Sequence, residues 1–249
     1  MRHPAVDIVV ARTTRPSRVG RCRFHFPDPR LADADGLVAM GGDLEPATLL
    51  AAYRQGIFPW PVEGIDLLWW SPDPRAVLPP DGMHVSRSLA RTLRRRGFRV
   101  TIDAAFDEVV AGCADREDNE TWITPAIRDA YAHLHRLGWA HSVEVWADGA
   151  LAGGLYGVSI GALFAAESMF HRVSDASKVA VIALAQHARA VGVELIDVQM
   201  PTPHLASLGA LTISREQYLQ RLAPAISRRV DFIGGRAEFP GEAVVSPVE

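Results

Sequence analysis

The sequence predicts an α+β fold: a small irregular first domain, then a larger domain whose mostly antiparallel mixed sheet is flanked by helices. Three observations carry this. The strand-like runs HSVEVWA, ALAGGLYGVSIG and ALFAAESMF follow one another with only short turns between them, as an antiparallel meander does. A helical stretch over residues 175–190 and a further strand, ELIDVQ, come directly after. Upstream, residues 24–70 are rich in Gly, Pro and aromatics.

In chain order, residues 1–23 hold six Arg against one Asp, with turn-forming Pro, and are expected to form a flexible arm. A small N-terminal domain (24–74) has one clear helix, 46–55: Pro46 sits where its missing N–H costs nothing, and Gly56 can take the left-handed C-cap. SPDPRAVLPP, with four prolines in ten residues, marks the crossing into the larger domain (75–249) and holds a short strand in RAVL. Residues 86–96 read as helix, FRVTI as strand, and 104–114 and 125–137 as helices. The meander follows, then the 175–190 helix with Ser174 or Asp175 as N-cap and Gly192 beyond its end. ELIDVQ and short C-terminal helices complete the chain. A meander, a helix and another strand in this order resemble the acyltransferase fold of the GNAT class, one candidate among several.

Composition narrows the function classes. With 249 residues, 48% of them hydrophobic and 22% charged, the chain can bury a sizeable core and is neither disordered nor disulfide-scaffolded. A net charge of -3 excludes a wholesale nucleic-acid coat but leaves room for a local basic face. All but one of the 26 basic residues are Arg, a bias that fits a GC-rich genome; the exception is Lys178, read as a buried or paired structural residue rather than a catalytic one. Two Cys without a CxxC indicate a reducing compartment and no structural zinc. No run of about 18 apolar residues occurs, so a cytoplasmic protein is expected. His133 and His135 diverge on one helix, so no metal site is expected there, and no HExxH, P-loop or GxSxG is present.

Several residues invite chemistry. Asp197 and Gln199 are two apart on a strand and are expected to share a face. They are either a hydrogen-bonded pair at a strand end or a substrate contact. Glu167, among small and apolar neighbours, is either a partner for an Arg or an anionic contact for an amine. Trp60 and Trp122, beside Pro or in a polar loop, are candidates for stacking on a nucleobase. Arg87, Arg91, Arg94 and Arg95 line one helix face with no acid between Asp81 and Asp103. That stripe is either a solvated face or a track for an RNA backbone.

GLVAMGGDL, AYRQGIFPW, LWWSPDPRAVL, HVSRS, TWIT, AYAHLHRLGWAHSVEVW, GGLYGVSIGALFAAESMF, ASK, LIDVQ and HLASLGA span residues 36–210 in one order. In these motifs the chain resembles the leucyl/phenylalanyl-tRNA–protein transferase family. The resemblance implies a small N-terminal domain and a GNAT-like catalytic domain. The implied activity moves Leu, Phe and, less well, Met from aminoacyl-tRNA to the N-terminal Arg or Lys of acceptor proteins, marking them for N-end-rule degradation. It implies no cofactor or metal, and a monomer is expected.

Carried over, the family's adenosine-holding aromatics fall on Trp60 and Trp122 with Tyr53 and Tyr131 nearby. Its amino-acid pocket falls on Leu155, Phe164, Val181, Leu184 and Ile196. Its catalytic residues fall on Asp197, Gln199 and Glu167, and its tRNA-contacting cluster on Arg87, Arg91, Arg94 and Arg95. Leu155, Val181 and Leu184 stand where the family can have Met, Leu and Phe, which keeps the pocket apolar and alters its volume. Two rivals stay open. One is an acyl-CoA enzyme, against which MFHRVSDASKVA lacks the Gly-rich phosphate loop; the other is a non-catalytic RNA-binding module.

Overall fold

The computed structural model describes residues 6–11, 14–115 and 121–234. Its strands are β1 (Ile8–Val10), β2 (Leu37–Met40), β3 (Phe58–Pro59), β4 (Leu68–Trp70), β5 (Arg75–Leu78), β6 (Arg99–Ile102), β7 (Ala140–Ala147), β8 (Ala150–Ile160), β9 (Leu163–His171), β10 (Leu195–Gln199) and β11 (Leu211–Ile213). Its α-helices are α1 (Pro46–Tyr53), α2 (Arg87–Arg95), α3 (Phe106–Ala114), α4 (Pro125–Arg136), α5 (Ala176–Val191), α6 (Pro203–Ser207) and α7 (Arg215–Ser227). Eight strands make the main mixed sheet in the order β1-β6-β7-β8-β9-β10-β5-β11, and β2-β4-β3 make a small second sheet. The architecture is therefore α+β, with β7-β8-β9 as the antiparallel meander and β10 parallel to β9 after α5.

Local sequence explains where the helices begin and end. Ser86, Thr124 and Ser214 accept N–H bonds at the starts of α2, α4 and α7, and Ser214 with Gln217 closes a capping box. At the end of α5, Gly192 adopts φ 90, a left-handed stop open to glycine at no steric cost. Asp175 at its start is also left-handed, at φ 70, and pairs with Lys178 at 2.8 Å. Lys178 is thus half of a partly exposed surface pair.

Two expectations are corrected. Within the stretch read as a flexible arm, Ile8–Val10 is a strand paired in parallel with β6, its buried Ile8 and Val10 held in the core. Ser17 continues the attachment, its N–H donating to Leu137 O and its carbonyl accepting from Trp139 Nε1. The Arg count hid the short apolar run IVV between them. The first domain, read as one helix in irregular chain, also holds β2, β3 and β4, which are too short to show a period-2 pattern.

The sheet separates two apolar layers. One packs α5 against β6 to β10 and contains Val143, Leu155, Phe164, Val181 and Ile196. The other packs α1, α3 and α4 against the opposite face, with Tyr53, Tyr131, Tyr156 and Trp122 in it. A third, smaller cluster joins α7 to β5 and β10 through Val77, Leu195 and Tyr218.

Candidate active site

The parallel pairing of β9 with β10 runs from Leu195↔Leu163 to Asp197↔Ala165 and stops there. Two irregularities lie just past that point. On β9 the register against β8 slips between Tyr156↔Ser168 and Gly157↔Ala166, leaving Glu167 unpaired. On β10, Asp197 opposes Val77 and Gln199 opposes Ala76, so Val198 is an extra residue. Gln199 itself sits at φ 58, a left-handed conformation uncommon for a residue with a Cβ. Bulges of this kind end a ladder and re-aim side chains. Here they bring Glu167 and Gln199 together, with Gln199 Nε2 donating to Glu167 Oε1 at 3.0 Å.

Asp197 and Gln199 were expected to share a strand face, either bonded to each other or contacting substrate. Ile196 and Val198 do both enter the α5-side cluster, and the bond within the pair comes from the Gln199 backbone N–H rather than from its carboxamide. The Asp197 side chain also binds Arg75, accepting from Nε at 2.9 Å and Nη2 at 2.6 Å. It also accepts from Tyr218 OH at 2.8 Å and from the Gln199 backbone N–H at 2.9 Å. Arg75 and Asp197 are each 1% exposed, making this a fully buried bidentate ion pair. Burial by itself would lower the Arg75 pKa, but the Asp197 charge and the Tyr218 phenol more than offset that and raise it. The Arg75 guanidinium further lies 4.3 Å from the centre of the Tyr218 ring and 4.9 Å from that of Phe58.

Glu167 is the hub of a second chain. Its Oε2 accepts from Tyr131 OH at 2.9 Å, and Tyr131 OH is in turn in a short contact with Tyr53 OH. Burial pushes the Glu167 carboxyl up to about 7; bonds from Tyr53 and Tyr131 pull down, Asp197 adds to the rise, and Arg75 opposes it. Burial, followed by the Glu167 charge, holds both phenols far above their ordinary pKa, so they stay proton donors. Tyr53 and Tyr131, assigned to the adenosine site by resemblance, are thus bonded to the carboxylate hub.

Trp60 and Trp122 stack on each other, with ring centres 5.1 Å apart and planes 21° from parallel. Trp122 is buried and Trp60 half-buried, so a base between them would require the rings to part by the thickness of that base. Leu155, Phe164, Val181, Leu184 and Ile196 all belong to the α5-side cluster, each at most 3% exposed. Arg87, Arg91, Arg94 and Arg95 are all exposed on α2. Among the described residues none of the four forms an ion pair. Helix α2 lies beside the start of α5, where Thr92 Oγ1 donates to Asp175 Oδ2 at 3.2 Å.

Arg75 and Tyr218 are the site residues that sequence reasoning missed. A signal existed for Arg75: a charge opening the otherwise apolar strand RAVL must meet a carboxylate if it is buried. Tyr218 sits in the polar run REQYLQRL and gave none. Among the described residues no group of His, Cys, Asp and Glu is arranged to hold a metal. No helix there is long and apolar enough to cross a membrane.

Comparison with known proteins bears on this geometry. The N-terminal domain of leucyl/phenylalanyl-tRNA protein transferase matches residues 42–73, and the main domain of that family matches residues 77–223. A leucyl/phenylalanyl-tRNA–protein transferase of Anaeromyxobacter sp. is 55% identical over 82% of this chain and 88% of its own. Those of Edwardsiella ictaluri and Aromatoleum aromaticum are each 54% identical, over 80% and 84% of this chain and 82% and 89% of theirs. Among solved structures, a GCN5-related N-acetyltransferase from Kribbella flavida is similar at TM-score 0.38 and 11% identity, covering 68% of this chain and 61% of its own. The matched segments run through α1, Asp197, the meander and the Glu167–Gln199 contact, and with relatives more than half identical over four-fifths of its length, the chain belongs to the leucyl/phenylalanyl-tRNA–protein transferase family.

Proposed function

We propose that this protein moves Leu or Phe, and Met less well, from aminoacyl-tRNA to the N-terminal Arg or Lys of acceptor proteins, marking them for degradation in the cytoplasm. The donor ester is already activated, so the task is positioning, which can supply roughly 7–11 kcal/mol of the barrier reduction. The observation that carries the reading is the Gln199 carboxamide, whose N–H is tied to Glu167 and whose oxygen is left as acceptor at the open end of β9 and β10. A neutral carboxamide is a poor base but a good guide: its oxygen accepts from the incoming α-amine and fixes the direction of attack.

The amine nitrogen bonds to the ester carbonyl carbon, the bond from that carbon to the ribose oxygen breaks, and the amine proton reaches the leaving oxygen through the neighbouring ribose hydroxyl. Trp60 and Trp122 part to hold the terminal adenine, contributing about 1–3 kcal/mol per stacked base. The donor side chain reaches the apolar cluster past Ala166 and Met169, which are half-buried against it. Glu167 takes either the acceptor's cationic side chain or the donor's amino group while it holds Gln199. The arrangement is consistent with catalysis by one protomer without cofactor or metal. Since one methylene in such a pocket is worth about 1–3 kcal/mol, selection among Leu, Phe and Met is graded.

The direct test mixes the purified protein with labelled Leu-tRNA and a peptide beginning with Arg or Lys, and repeats with a peptide beginning with Asp. Label is expected on the basic peptide alone; no label on either overturns the reading. For the α2 stripe, reversing Arg91 and Arg95 to Glu should weaken tRNA binding. It should also flatten the plot of log affinity against log salt by about 2, near 0.9 per lost phosphate contact. An unchanged slope would make the stripe a solvated face.

A further inference from the structure

The Asp197 carboxylate has about four lone-pair sites, and four donors occupy them. Oδ1 accepts from Arg75 Nε and the Gln199 backbone N–H; Oδ2 accepts from Arg75 Nη2 and Tyr218 OH. No acceptor site is left for a substrate proton, so Asp197 acts through what it holds. The one main-chain donor in its grip is the N–H of Gln199, at its left-handed φ of 58 beside the bulge. A residue with a Cβ keeps such a conformation only when its surroundings enforce it. Arg75 is anchored in turn by Nη1 on Gly56 O at 3.2 Å. Gly56 lies so close to α7 that an added Cβ would stand 2.8 Å from the Tyr218 ring, at a φ of 77 that favours glycine.

We infer that Arg75 and Tyr218 are positioning residues of the transfer site: they clamp Asp197, Asp197 pins the Gln199 N–H, and the pinned backbone aims the Gln199 carboxamide. This rests on the proposed transfer reaction, and it assigns to α7 and to the Gly56 turn a share in setting the direction of attack. The clamp joins the first domain, through Gly56 and Phe58, to the strand that carries Gln199. Tyr218 contributes one hydroxyl and Arg75 a two-pronged fork that Lys cannot reproduce.

The test is a double-mutant cycle on the full chain, read as kcat and donor KM for transfer from Leu-tRNA to an Arg-peptide. Tyr218→Phe and Arg75→Lys should each lower kcat by about tenfold with donor KM changed less than about twofold, the pattern of an interaction felt only at the reacting centre. In a Gln199→Ala background the same changes should lower kcat by less than about twofold, because the group they aim is gone. Rates are taken well below each variant's melting temperature and per mole of folded protein, so a merely structural loss drops out. Equal fold-losses in both backgrounds would overturn the inference while the wild type still transfers. A wild type that transfers nothing overturns the functional reading and this inference with it.

Discussion

Replacing Asp197 by Ala should destabilise the protein by roughly 3–5 kcal/mol, because it strands the Arg75 charge in the interior. Arg75 is 1% exposed; its remaining contacts are the Gly56 carbonyl and two aromatic rings, and the Glu167 carboxyl, which acts on it through space without a direct bond, does not replace the bidentate partner. Tyr218 OH and the Gln199 N–H lose their acceptor in the same step, each leaving a buried donor unpaired. Urea unfolding should show the midpoint moving down with little change in slope. A companion variant separates charge from packing. Changing Arg75 to Met and Asp197 to Leu together removes both ions and should recover much of the loss, since well-packed apolar replacements of buried pairs are often neutral. That double variant should regain stability without regaining transfer, because nothing then pins Gln199. A cost below about 1 kcal/mol for Asp197→Ala would mean that the pair is not buried as a charge pair in solution.

The elements and their order were legible because their signals are local: Pro46 and Gly56 bracket α1, Gly192 stops α5, and three runs separated by short turns make the meander. Tertiary pairing was not. Ile8–Val10 carries only three residues and its partner is β6, some ninety positions away. Nothing in either segment names the other. At the candidate site, Glu167, Asp197 and Gln199 stood out as polar residues on apolar strands, and the structure does gather them. What left no periodic trace is the bulge at Val198, one extra residue beside which Gln199 takes its left-handed conformation. Arg75 and Tyr218 stayed hidden for the same reason that they matter: each is defined by a partner more than twenty positions away across the fold.

Transfer should rise with pH through about 7 and lose that dependence in Glu167→Gln, because the ionised carboxylate is what holds the Gln199 amide the right way round. Ionised Glu167 can only accept, so it takes the Nε2 hydrogen and leaves the carboxamide oxygen for the amine. Protonated Glu167 can donate to that oxygen and compete with the amine for it. Burial places the changeover at about 7. The acceptor amine also gains reactivity with pH, so the diagnostic is the difference between wild type and Glu167→Gln measured with the same peptide. Identical profiles would remove Glu167 from the reaction.

Stability supplies an independent reading with opposite sign. Between its ordinary value of 4.5 and about 7, folded Glu167 binds more protons than the unfolded chain does. Stability therefore falls as pH rises through that window, by about 3 kcal/mol in all. His187 works the other way. Burial lowers its pKa from 6.5 to about 4, against a raising bond from its own contact with Phe232 O, so it stays neutral in the fold where the unfolded chain would be charged. Its contribution rises with pH from about 4 to 6.5, by about 3 kcal/mol. The two slopes largely cancel in the wild type between pH 4.5 and 6.5. Removing the Glu167 titration by Glu167→Gln should unmask the His187 slope, so that stability climbs with pH across that window. Wild-type and variant profiles that climb equally across that window would show that the Glu167 carboxyl titrates near its ordinary value, and the pH dependence of transfer would then need another group.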